Sequence, residues 1–100
     1  MKDTSFFTIE SVISWAKQDL KFAQSDYLKS PSSVRWNLTL RAMFVYQQAD
    51  FASRSATVDR KQLLADLFDQ PLGAWGDIIT KATTGKSVRD NLIEFGTAGF

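Results

Sequence analysis

The stretch that most constrains this fold runs from Val34 to Arg54, because it carries two apolar faces instead of one. At about 100° per residue, apolar residues recur every three or four positions on one side, as in a buried helix face. This stripe contains Val34, Leu38, Ala42, Val45, Ala49 and Ala52. The opposite side carries Trp36, Leu40, Met43, Phe44 and Phe51. A helix that is apolar on two sides must be covered on two sides, either inside a bundle or by a partner.

A second long helix is predicted immediately before this stretch. Thr8 is a suitable N-cap, and apolar residues follow at helical spacing. That stripe contains Ile9, Val12, Ile13, Ala16, Leu20, Ala23 and Tyr27. Pro31 disfavours a helical Ser30, and Ser32 or Ser33 can cap the next helix. Two helices of about twenty residues with so short a connection predict an antiparallel hairpin.

Capping residues divide the remainder of the chain into shorter helices. Thr57 is a candidate N-cap, Pro71 suits a first turn, Gly85 suits a helix C-cap, and Ser87 suits a last N-cap. No segment has the period-two pattern of a strand. The sequence therefore predicts one all-α domain over residues 1–100, a small bundle made of a long antiparallel helical hairpin and two or three short C-terminal helices. The predicted helices cover residues 8–29, 33–54, 57–69, 71–84 and 87–95.

Composition removes several classes of function. With 44% hydrophobic and 23% charged residues, the chain is ordinary for a globular domain. Twelve basic and eleven acidic residues nearly cancel, so no strongly basic or acidic surface is required. The absence of Cys and His removes thiolate chemistry, the commonest general base and the commonest transition-metal ligand. We therefore predict a protein that is not an enzyme, holds no cofactor or metal, and, lacking a long apolar run, is cytoplasmic and makes no membrane contact.

Residues 64–79 carry an apolar skeleton formed by Leu64, Ala65, Phe68, Trp75 and Ile78. This skeleton is similar to the helix-turn-helix of phage-repressor-type DNA-binding domains, which implies a DNA-binding regulator using residues 63–82. The chain departs from that family at Asp69, where glycine is usual, and at Trp75, where a small aliphatic residue is usual. Lys81, Lys86 and Arg89 could contact phosphates, but the second helix begins without side chains that read base edges.

Aromatic content provides the other functional hypothesis. Three Trp, two Tyr and eight Phe exceed what a small core easily encloses. If the C-terminal helices do not cover them, an exposed aromatic face would mark an interface. We therefore predict a small regulator, adaptor or inhibitor that docks on a protein partner or on itself as a homodimer. Its composition would suit an accessory protein of a phage. The predicted partner-binding residues are Trp15, Phe22, Arg35, Trp36, Leu40, Arg41, Phe44 and Phe51.

Overall fold

The computed structural model describes residues 7–95, and within this range the chain is all-α. The predicted fold class, a small bundle with a long helical hairpin followed by short helices, is confirmed. Residues 1–6 and 96–100, which belong to the predicted domain, lie outside the described residues. The five described helices are α1 (Ile9–Lys29), α2 (Ser33–Arg54), α3 (Arg60–Phe68), α4 (Leu72–Thr84) and α5 (Val88–Glu94).

Helices α1 and α2 form the hairpin, and both begin at a predicted cap. The Thr8 hydroxyl accepts a hydrogen bond from the Ser11 amide, and the Ser11 hydroxyl accepts one from the Thr8 amide. Ser32 caps α2 in the same way. The Thr39 hydroxyl lies at the contact between the two helices, 3.0 Å from the carbonyl of Arg35 in its own helix and 3.3 Å from the carbonyl of Ala23 in α1. Nearer the turn, the rings of Tyr27 and Trp36 lie 5.3 Å apart.

Two predicted helix starts are wrong by a few residues. The N-cap of α3 is Asp59 and not Thr57, because the Asp59 carboxylate accepts the Gln62 amide at 3.1 Å. Thr57 instead donates its amide to the Ser55 hydroxyl. Pro71 is the N-cap residue of α4 rather than part of its first turn.

The predicted caps at the other end of α4 are confirmed. Gly85 ends α4 with a φ of 81°, a left-handed conformation that glycine adopts without steric cost. Ser87 then caps α5 by accepting the Asp90 amide at 3.1 Å. These two residues therefore turn the chain sharply between its last two described helices.

The core lies at the end of the hairpin away from the α1–α2 turn. The buried residues between α1 and α2 include the small side chains Ala16, Ala49 and Ala52. Trp75 anchors α4 to the end of α3 by donating its indole N–H to the carbonyls of Leu67 and Gln70. The main buried cluster contains Val12, Ala16, Ala49, Ala52, Leu63, Leu67, Trp75 and Ile79. A second cluster, in which α5 packs against α2, contains Phe44, Val45, Val88 and Leu92.

The short helices cannot cover the whole hairpin. With 21 residues, α1 is about 32 Å long. With 13 residues, α4 is about 20 Å long. The part of the hairpin nearest the turn is left without a covering helix among the described residues. Val34 and Leu38 are accordingly 67% and 53% exposed, so the prediction that the whole α2 stripe is buried is wrong for its first two members.

Candidate protein-docking groove

The uncovered part of the hairpin forms an open groove of about 750 Å³ between α1 and α2. Each helix contributes one flank with side chains at positions i, i+4, i+7 and i+11. On α1 the flank is Trp15, Asp19, Phe22 and Asp26; on α2 it is Val34, Leu38, Arg41 and Val45. This spacing keeps four side chains on one side of a helix over three turns. We call this feature the hairpin groove.

The first turns of α4 close one end of the hairpin groove. Gly76 allows α4 to approach α2 closely, because a Cβ atom at this position would lie only 3.1 Å from a Val45 methyl group, which is closer than ordinary van der Waals contact. At the same end the Trp15 ring meets the Trp75 ring edge-on at a centroid distance of 5.2 Å. The closed end is therefore fixed by core packing and does not depend on a partner.

The open part of the hairpin groove exposes large apolar side chains. Phe22 is 63% exposed and Leu72, at the start of α4, is 55% exposed, in addition to the exposed Val34 and Leu38. These four residues line one continuous depression. Single exposed apolar residues are normal on a soluble domain, but several that share one concave surface are characteristic of interaction sites.

Charges of opposite sign border the groove on its two sides. The α1 side carries Asp19 and Asp26, and the α2 side carries Arg35 and Arg41. None of these four side chains forms an ion pair with another residue of the described range. The hairpin groove thus has carboxylates along its α1 side, which we call the acidic rim, and guanidinium groups along its α2 side, the basic rim, and the exposed apolar side chains lie on the same two flanks.

The structure separates the predicted partner-binding residues into two groups. Trp15, Phe22, Arg35 and Arg41 line the hairpin groove. The remaining four, Trp36, Leu40, Phe44 and Phe51, do not line this groove and lie elsewhere on α2, so the structure does not bring the eight residues together on one face.

The aromatic residues outside the groove have different surroundings. Phe44 is buried, and its ring lies 5.9 Å from that of Phe95. The Trp36 ring lies tilted against the Tyr27 ring and remains 40% exposed, while Phe51 is half-exposed beside a shallow depression on another face. The C-terminal helices therefore cover Phe44 but leave Trp36 and Phe51 partly open.

Sequence reasoning missed Val34, Leu38 and Leu72 as surface residues. The first two belong to a stripe whose later members are buried, so periodicity alone assigns them to the core. Helix length was the available signal, since three short segments cannot cover two helices of twenty residues. For Leu72 the available signal was its position: a residue in the first turn of a helix lies at the end of that helix, where fewer neighbours cover it.

The α3–α4 segment does not gather the charges that DNA contact requires. Asp66, Asp69 and Asp77 line the depression between these helices, with Lys81 as the only cation in that lining among the described residues. Asp77 also accepts the Val88 amide at 2.9 Å.

The other two cations proposed for DNA contact lie near the start of α5. Lys86 donates to Glu94 at 2.8 Å, and this hydrogen bond together with the carboxylate charge raises the pKa of Lys86. The Lys86 ammonium is thus already paired with an anion, which reduces what it can offer a phosphate.

The site and the fold together define an all-α hairpin protein with an open apolar groove. The chain matches no profile of a known protein family, no curated protein and no solved structure. Within residues 7–95 no three or more His, Cys, Asp or Glu side chains are grouped so that they could hold a metal ion. None of the helices in that range combines the length and apolar character that crossing a bilayer requires.

Proposed function

We propose that this protein is a non-catalytic interaction protein, a small regulator, adaptor or inhibitor, that docks a protein segment in the hairpin groove. One observation carries the proposal: Phe22, Val34, Leu38 and Leu72 are all more than half exposed and line the same preformed depression. Burying apolar surface yields about 25 cal/mol per Å², so covering these side chains favours association.

The dimensions of the groove favour a helical occupant. Its α1 flank extends from Trp15 to Asp26, which corresponds to about 16 Å of helix axis. An occupant of equal length presents three helical turns, enough for apolar side chains at i, i+4 and i+7. Because the closed end of the groove is held by core contacts, less ordering entropy is lost there when the occupant binds.

The rims supply the specificity of docking. An occupant is favoured if it presents cations toward Asp19 and Asp26 and anions toward Arg35 and Arg41. The reverse orientation places like charges together at both rims, which is penalised. The exposed apolar side chains would therefore provide most of the affinity, while the charges on the two sides fix the direction of the bound segment.

The distribution of charges along α3, α4 and the start of α5 gives less support to the alternative, a DNA-binding regulator that uses residues 63–82. The three aspartates along the α3–α4 depression would repel a phosphate backbone, and Lys86 is paired with Glu94. DNA affinity that falls steeply with salt and is lost on replacing Lys81 or Arg89 would favour that alternative.

Site-specific photocrosslinking tests the proposal. A photoreactive phenylalanine analogue replaces Leu38 in the groove or, as a control, Ile93 on α5, which is equally exposed at 52% against 53%. In cells that express the protein, we expect the Leu38 position to give a defined protein adduct that Phe22→Asp abolishes. Equal labelling from both positions, or labelling insensitive to Phe22→Asp, would show that the groove is not the docking surface.

A further inference from the structure

We propose that the partner that covers the hairpin groove is a second copy of this chain, which presents its own α1 and α2 as the helical surface and is related to the first by a two-fold axis parallel to the hairpin. This inference rests on the proposed function, because it names the partner of the same groove. It follows from the way in which the charges and apolar residues are distributed along α1 and α2.

The register of the hairpin sets the level of each rim charge along its axis. Thr39 lies at about the level of Ala23, because its hydroxyl lies 3.3 Å from the Ala23 carbonyl and the ring contact between Tyr27 and Trp36 gives the same register to within one residue. Counting from this pair in opposite directions along the two helices places Arg35 level with Asp26 to within about one residue, or ~1.5 Å.

The second pair of rim charges is matched in the same way. From the same reference, Arg41 is level with Asp19 to within about two residues, or ~3 Å. Each acidic side chain therefore has a basic counterpart at nearly its own level, on the other side of the groove.

A two-fold axis parallel to the hairpin preserves these levels and exchanges the two sides. It places α1 of one protomer over α2 of its partner, with the contact repeated symmetrically. Asp26 then faces the basic residue at position 35 of the other copy, and Asp19 faces the one at position 41. The acidic rim of each copy meets the basic rim of the other, and no sliding along the axis is needed to achieve this match.

Charge also selects this arrangement over the competing one. A two-fold axis in the interface plane but perpendicular to the hairpin would place α1 over α1 and α2 over α2. Asp19 and Asp26 would then meet acidic rims, and Arg35 and Arg41 would meet basic rims. Like charges in juxtaposition cost several kcal/mol.

The apolar side chains follow the same geometry. Phe22 on α1 and Leu38 on α2 differ by about two residues in level, or ~3 Å, so each Phe22 is brought over the Leu38 of the other copy. These contacts bury two side chains that are 63% and 53% exposed in the single chain. The surface is small, about 16 Å by the width of two helices, so we expect micromolar rather than nanomolar self-association.

Reciprocal charge reversal tests this pairing. Asp19→Arg/Asp26→Arg gives a variant with two basic rims, and Arg35→Asp/Arg41→Asp gives one with two acidic rims. Sedimentation equilibrium should show the wild-type chain dimerising, and each variant alone self-associating at least about tenfold more weakly. An equimolar mixture of the two variants should form a 1:1 heterodimer at least as tight as the wild-type dimer.

A control variant distinguishes the effect of where the charges lie from the effect of the overall net charge. Lys61→Asp/Lys81→Asp carries the same net charge as the acidic-rim variant but keeps both native rims. Mixed with the basic-rim variant, it should associate at least about tenfold more weakly than the acidic-rim variant does. Circular dichroism of each variant confirms that all are folded before the masses are compared.

Two outcomes would overturn the pairing. One is a wild-type chain that stays monomeric together with variants that fail to associate when mixed. The other is a control that binds the basic-rim variant as tightly as the acidic-rim variant does. Neither outcome removes the proposed function, since a foreign protein crosslinked specifically at Leu38 would leave the groove as a docking surface with a different occupant.

Discussion

The same substitution should have very different costs at two leucines of this chain. Leu67 is fully buried at the centre of the main cluster, whereas Leu38 is 53% exposed in the hairpin groove. Leu→Ala at a buried site loses about 2–5 kcal/mol, which combines transfer of the side chain with the cavity left behind. Fully burying a leucine gains about 1.5–3 kcal/mol, so the less-than-half-buried Leu38 should lose about 1 kcal/mol or less on truncation.

Urea unfolding followed by far-ultraviolet circular dichroism measures both costs. The protein must be dilute enough that the wild-type midpoint does not change with concentration, so that self-association does not contribute to stability. Leu67→Ala should shift the midpoint strongly, and Leu38→Ala should shift it little, with similar slopes for the two variants. Equal losses would refute the reasoning, because they would mean that part of the chain itself fills the hairpin groove.

Other predictions concern the helix ends and the glycines of α4. Gly85→Ala should destabilise the protein by about 1–2 kcal/mol, because its φ of 81° is strained for any residue with a Cβ. Gly73→Ala should instead stabilise it by about 0.5–1 kcal/mol, because alanine favours a helix more than glycine does and an added Cβ meets nothing within 4 Å. A lower midpoint of thermal unfolding for this variant would contradict the prediction. Asp59→Ala should lose about 1 kcal/mol by removing the α3 N-cap, while Thr57→Ala should lose less than half of that. A thermal shift for Thr57→Ala as large as or larger than that for Asp59→Ala would contradict this assignment of the cap.

Much of the fold was accessible from the sequence because its signals are local. Caps at Thr8, Ser32 and Ser87, a break at Pro31 and a left-handed position at Gly85 depend on interactions within a few residues. The predicted start of α3 was wrong because two possible capping residues lie two positions apart, and the Thr57 amide donates to the Ser55 hydroxyl while Asp59 caps the helix.

The candidate site was only partly accessible, because burial depends on where other helices end. Val34 and Val45 occupy the same stripe of α2, yet Val45 is buried against α5 and the start of α4, while Val34 lies beyond their reach. Phe44 shows the converse case: its position on the second apolar face suggested an interface, and the packing of α5 covers it. Periodicity identifies a helix face but does not tell how far along that face a neighbour extends.

The most direct measurement is the concentration dependence of amide chemical shifts in the ¹⁵N-labelled chain. If two copies meet through the hairpin groove, amides within residues 19–26 and 34–42 should shift together along one saturating curve, while those of α3 stay fixed. Amides that kept their positions while the protein associated would contradict this pairing, and so would shifting amides clustered around Phe51, which lines a different depression.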